Sequence, residues 1–262
     1  MCVIALSCVV GVARAHHAWG PYHWARTTPE FTLKLGDSVS SNWDLYLQTA
    51  SGDWNQSSVL NTVIVPGLNI NRQKTCRAVA GRAEICNAKY GNNGWLGIAS
   101  IWALGDHITQ GTVKMNDTYF VTQTYNKPAW KNLVLCQEVG HLFGLDHQDE
   151  NFSNTPLGTC MDYSNDPTLN QHPNAHDYEM LETIYAHLDG STTVAQTPLQ
   201  NPQVGASVSD DPQGWGKEIR RSRDGRASLY VREFAGGERM FTHVFWADEN
   251  QGRGKGSTPH NR

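Results

Sequence analysis

At 262 residues the chain is long enough for one large domain or two small ones, and its nine Trp and nine Tyr supply the bulk for a real core. A formal net charge of −4 gives no whole-chain attraction to nucleic acid or to an anionic membrane surface. That charge is uneven: from Gly214 onward ten basic side chains face six acidic ones, so the end of the chain is positive and the rest negative.

The first fifteen residues read as an export signal. Cys2 to Val12 is almost wholly apolar, and Ala13-Arg14-Ala15 supplies an A-x-A cleavage site before His16. The run is too short to span a bilayer, and no later segment is apolar enough to do so. Cleavage would leave four cysteines, Cys76, Cys86, Cys136 and Cys160, which suggests two disulfides with three possible connectivities. Spacing favours Cys76 with Cys86 and Cys136 with Cys160. The second pairing requires its two Cα atoms to lie within about 7 Å.

Phe31 to Leu35 alternates and predicts a strand; Asn42 to Ala50 predicts an amphipathic helix. Val59 to Val65 is β-branched and ends at Pro66-Gly67, a second strand. Glu84-Ile85-Cys86, Gly94 to Leu104 and Gly111 to Asn116 predict three more, the last two separated by a turn at Gly105-Asp106. Trp130 to Phe143 predicts a helix stopped by Gly144 in a left-handed conformation. A late helix is expected from about Ala175 to His187, with Asn174 as N-cap and Asp177 three residues on. Residues 191–213 are rich in Ser, Thr, Pro and Gln and read as a linker. Residues 214–248 carry three short apolar runs split by Asp224-Gly225 and Gly236-Gly237, as in a small antiparallel meander; 249–262 is a basic tail.

The chemistry concentrates at the end of the Trp130–Phe143 helix. Gln137, Glu138, His141, Gly144 and His147 fall on the spacing H-E-x-x-H-x-x-G-x-x-H, with Gln in place of the first His. Residues four apart share a helix face, so Gln137 and His141 point the same way and Glu138 sits beside them. Gly144 lets the chain turn back so that His147 can approach. Met161 follows fourteen residues after His147, within Cys160-Met161-Asp162-Tyr163. Together these residues resemble the metzincin clan of zinc metalloproteases, and within it the matrixins and their bacterial relatives. The resemblance covers roughly His16 to Asp189, specific around the motif and topological before it.

The resemblance implies an α+β (mixed α/β) catalytic domain over 16–190, with a twisted, mostly parallel sheet, a motif helix, a Met-turn and a C-terminal helix. It also implies an antiparallel edge strand at Trp95 to Trp102, along which a substrate peptide would add as a further strand. His141 and His147 would hold zinc, with Gln137 in the position of the third ligand, and Glu138 would be the general base toward a zinc-activated water. Met161 would lie beneath the metal as a packing floor, and the Tyr163 hydroxyl could support the oxyanion. The Cys136–Cys160 bridge would tie the motif helix to the Met-turn.

An amide oxygen is a weaker zinc ligand than imidazole, which leaves three arrangements open. Gln137 is a true third ligand; the metal is held by two His with waters or Asp146; or the site holds no metal. Asp146, Asp149, Glu150, Asp162 and Asp166 crowd the same region. Calcium is a secondary expectation there, but the D-x-D-x-D-G spacing is missing and solvated surface is the plainer account. His107 falls in a turn, and His172, His176 and His187 flank the last helix with no evident role.

No G-x-S-x-G elbow or phosphate loop appears, so serine hydrolase and nucleotide enzyme readings have no support. The leading expectation is a secreted, monomeric zinc endopeptidase acting on protein or peptide substrates, with no nucleic-acid partner and no membrane span. The alternative is a catalytically silent domain of the same shape that binds peptides or partners; a third reading places the function in the meander.

Overall fold

The computed structural model describes residues 16–71, 73–194 and 204–248. The expected signal segment, the 249–262 tail and part of the 191–213 linker lie outside these. In chain order the elements are β1 (His23–Trp24), β2 (Phe31–Ser38), α1 (Asp44–Trp54), β3 (Leu60–Pro66), β4 (Arg77–Val79), β5 (Ala83–Ala88), β6 (Trp95–Leu104) and β7 (His107–Asn116). They continue with α2 (Asp117–Phe120), α3 (Pro128–His141), α4 (Ala175–Ile184), β8 (Val204–Ser207), β9 (Lys217–Arg221), β10 (Ala227–Glu233) and β11 (Glu238–Trp246). No helix among the described residues is long and apolar enough to cross a membrane.

The fold is mixed α/β, dominated by one sheet in the order β3-β2-β5-β7-β6-β11-β10-β9, with β1 pairing β7 beyond the end of β5. The first half, β3 through β7, is parallel. From β7 onward every pairing is antiparallel. Within residues 16–190 the pairing is mostly parallel, with only β6–β7 antiparallel; the sheet as a whole is mixed because β9–β11, joined by short turns that connect antiparallel neighbours, extend it beyond β6.

The expected edge at Trp95 to Trp102 is corrected. β6 is antiparallel to β7, but its other side is taken by β11, in register from Glu238 opposite Leu104 to Phe245 opposite Gly97, with a shift before Trp246 opposite Trp95. The meander thus continues the main sheet. Its alternation divides it between two cores. Phe241 and Phe245 face the helix side with Val134, Val139 and Tyr163, while Met240 and Val244 pack with Trp95, Ile98, Trp102 and Trp215 on the opposite face. Within the segment read as a linker, β8 pairs with β4 as a separate two-stranded sheet.

α3 packs on the sheet and against α1, whose Trp54 indole N–H donates to the Cys136 carbonyl at 3.2 Å. Its start is set by Pro128, whose missing N–H is one the first turn leaves unused anyway. The carbonyls at and just past its end are claimed by other side chains: Trp19 Nε1 donates to His141 O at 3.1 Å, Trp24 Nε1 to Leu142 O at 2.8 Å, and the Tyr185 hydroxyl to Phe143 O at 3.1 Å. Both disulfides form as the spacing favoured, Cys76–Cys86 and Cys136–Cys160, each with Cα atoms 5.9 Å apart.

Candidate active site

The C-terminal turn of α3 carries Gln137, Glu138 and His141, all at most 1% exposed. Gly144 ends it with φ +95°, and a Cβ there would stand 2.4 Å from the Tyr22 carbonyl, so both the turn and the close chain passage demand glycine. The reversal brings the His147 ring perpendicular to that of His141, centroids 4.6 Å apart. Met161 lies under the helix at Gly140, where an added Cβ would come 2.6 Å from its sulfur. Tyr163 packs its ring 4.4 Å from His147 and is itself buried. The structure therefore brings Gln137, Glu138, His141, His147, Met161 and Tyr163 into one place.

Hydrogen bonds fix how these groups face. The Nδ1 of His141 lies 2.8 Å from the Leu145 carbonyl, which can only accept, so its proton sits there and Nε2 keeps a bare lone pair. His147 Nδ1 donates likewise to the Glu150 carboxylate at 3.1 Å, and that bond holds Glu150 below the usual carboxylate range. Such carboxylate or carbonyl partners orient metal-binding imidazoles. Gln137 donates its amide N–H to the Cys160 carbonyl at 2.9 Å, which fixes the amide and leaves its oxygen without a partner.

Burial raises the Glu138 carboxyl well above its ordinary range, against a bond from the Ala99 N–H that acts the other way. Its carboxylate fits because residue 97 is glycine: a Cβ there would lie 2.7 Å from Oε1. Burial likewise pushes the His141 imidazole down to about 3, with the neighbouring His147 adding to the effect. The Tyr163 hydroxyl is held well above its usual value by burial, then by Glu138 and Glu150 nearby.

Two site residues escaped the sequence reading. His243, on β11, lies buried against His141 and opposite Ala99. Its signal was the alternation Phe241-x-His243-x-Phe245, a polar ring placed where the strand buries its side chains. Burial, then His141 and His147, drive its imidazole well below the ordinary value. Arg220, on β9, makes a bidentate ion pair with Asp146 and reaches Glu150 at 3.5 Å. Burial alone would raise Asp146, yet Arg220 and His147 keep its carboxyl below the usual range.

Metal-binding capacity can be tested on the donor atoms. Gln137 Oε1, Glu138 Oε2, His147 Nε2 and His243 Nε2 are buried without hydrogen-bond partners. An unsatisfied buried polar atom costs about 1–3 kcal/mol, and three of these, Gln137 Oε1, Glu138 Oε2 and His147 Nε2, belong to the motif, a mixture of oxygen and imidazole nitrogen that suits a divalent metal. Among the described residues, Glu138, His141 and His147 do not bring three ligand atoms within 4.8 Å of one another, whereas Asp146, His147 and Glu150 do. There, however, the Arg220 guanidinium already supplies the positive charge. No protein-family model and no curated protein sequence matches the chain.

Proposed function

We propose that the protein is a secreted zinc-dependent endopeptidase that its own C-terminal strands hold closed. The observation that supports this reading is the convergence, at the end of α3, of two imidazoles with bare Nε2 atoms, a fixed amide oxygen and a buried carboxylate raised in pKa. His141, His147 and Gln137 would hold the metal. Zinc bound there would acidify a water and polarise a scissile carbonyl. Glu138, buried beside Ala99, takes the water's proton; a carboxyl raised in pKa suits that task and the later return of the proton to the departing amine. Tyr163, packed on His147, would donate its hydroxyl to the developing oxyanion.

A substrate strand adding to β6 would use the position β11 fills, so cleavage requires β9–β11 to move aside. Arg220 on Asp146 and the His243 ring on His141 are the contacts that must open.

A second reading has its own support, the complete burial of Gln137, Glu138 and His141. In it the site never opens, and the domain is a catalytically silent secreted partner-binding protein. One experiment separates the two. The full chain is assayed on an unstructured protein substrate with and without chelator, alongside Glu138→Gln. The endopeptidase reading expects about one zinc at the motif, chelator-sensitive cleavage, and a loss of at least about a hundredfold in Glu138→Gln with zinc retained. Equal activity in that variant removes Glu138 as the base; no cleavage by wild type, even after the C-terminal strands are loosened, favours the silent domain.

A further inference from the structure

A second group of imidazoles lies outside the motif. In the β1–β7 pairing His23 sits opposite His107, and the chain after α4 brings His187 and Asp189 to the same place. Asp189 is anchored from behind: its Oδ2 accepts the Arg26 N–H at 2.9 Å, and its own N–H donates to the Arg26 carbonyl at 2.8 Å. The other carboxylate oxygen, Oδ1, is thereby presented to three Nε2 atoms, of His107 at 3.1 Å, His23 at 3.3 Å and His187 at 3.6 Å.

We propose that His23, His187 and Asp189 form a second divalent-metal site, for zinc or a similar transition metal, that staples the start of the described chain to the segment after α4. The spacing carries the argument. Ligands at the 2.0–2.1 Å bond lengths of tetrahedral zinc stand about 3.3 Å from one another. In the triangle formed here, His23 Nε2 and His187 Nε2 are 3.2 Å apart, and their distances to Asp189 Oδ1 are 3.3 and 3.6 Å.

Tautomer chemistry supports the same assignment. His23 Nδ1 lies 2.8 Å from the Pro21 carbonyl and donates to it, so a neutral ring turns a bare Nε2 lone pair toward the carboxylate. Two lone-pair atoms facing each other need a metal ion or a proton between them. The His23 and Asp189 side chains are each only 7% exposed, whereas His187 is 57% exposed, so two ligands are preset and the third leaves a path for the ion. His107, on the same carboxylate oxygen, orients Asp189 as an outer partner. A proton passed between His187 and His23 could hold these rings together without any metal, and the experiment distinguishes the two.

Chelator-treated full-length protein is titrated with Zn2+ by calorimetry, and the bound metal is counted after gel filtration. The variants are His187→Ala, whose side chain is exposed enough to remove without disturbing packing, and His147→Ala, which breaks only the motif. His187→Ala should lose one equivalent of zinc, or bind it at least about tenfold more weakly, while His147→Ala retains that equivalent. Wild type and His187→Ala binding the same number of ions with the same affinity would overturn the site. Loss of metal in His147→Ala alone counts against this site and leaves the motif intact; loss in His187→Ala alone does the reverse.

Discussion

His243 lies face to face with His141, ring centroids 4.0 Å apart and planes inclined by only 15°. Imidazole lone pairs lie in the ring plane, so two nearly parallel rings cannot direct them at one ion. His243 in this arrangement covers His141 and does not join it as a ligand. β11 thus closes the motif with backbone pairing to β6 and with a ring laid over the candidate metal ligands.

The polar clamp on that closure is Arg220 with Asp146. Replacing Arg220 with Glu sets like charges against each other beside Glu150 and favours release of β9. Cleavage of an unstructured protein by the full chain should rise at least about tenfold, the ratio that 1.4 kcal/mol brings to an opening equilibrium. Unchanged turnover in Arg220→Glu would remove this ion pair from the closure.

Gln137→His restores a third imidazole on the helix face shared with His141. Because imidazole binds zinc more strongly than an amide oxygen, zinc affinity should tighten at least about tenfold by competition with a chelator. An unmoved affinity would mean that another group holds that corner. The variant also forfeits the bond from the Gln137 amide to Cys160 O, so its melting temperature in zinc-free buffer is the control.

Acid should unfold the zinc-free protein in a way traceable to His243. The folded His141 titrates at about 3 and His243 well below its ordinary value, both because burial disfavours the cation. The unfolded rings take up protons near pH 6.5, so the stability they contribute is full above that pH and is lost as pH falls, at about 1.4 kcal/mol per pH unit for each ring. Glu138 is shifted up and acts in the opposite sense, so the comparison between variants carries the test. His243→Phe, which extends the Phe241 and Phe245 face, should make the pH dependence of urea unfolding between about pH 6 and 4.5 shallower by about one proton. An identical slope would place the acid sensitivity elsewhere.

The Cys136–Cys160 bridge closes a separation of 24 residues between α3 and the Met161 segment. Chain entropy gives such a loop about 3.5 kcal/mol, and Cys136→Ala/Cys160→Ala should lose about that much in denaturant unfolding. The Gln137 amide leans on the Cys160 carbonyl, so zinc affinity should fall in the same variant. Retained affinity would show that the helix alone holds the amide in place.

Much of the site was legible in the sequence because its parts are local. Gln137, Glu138 and His141 share one helix, Gly144 marks the reversal by its conformational freedom, and Met161 and Tyr163 follow within one short segment tied back by Cys160. β2, β3, β5, β6 and the second half of β7 could be read from alternation and turn residues; β4, three residues long, and the start of β7 at His107 could not. The Asn174 cap was equally local, and it forms a capping box with Asp177.

What the tertiary structure decided was which distant segments meet. Alternation in Phe241-x-His243-x-Phe245 shows that the strand buries one face, but backbone hydrogen bonds between strands carry no side-chain label. Nothing in the sequence therefore named β6 as its partner, or placed His243 on His141 and Arg220 on Asp146. The same holds for β1, two residues long and below any periodicity, which sets His23 opposite His107 and beside Asp189. Spacing along one helix is written in the order of residues; pairing across a sheet emerges only when the whole core is buried.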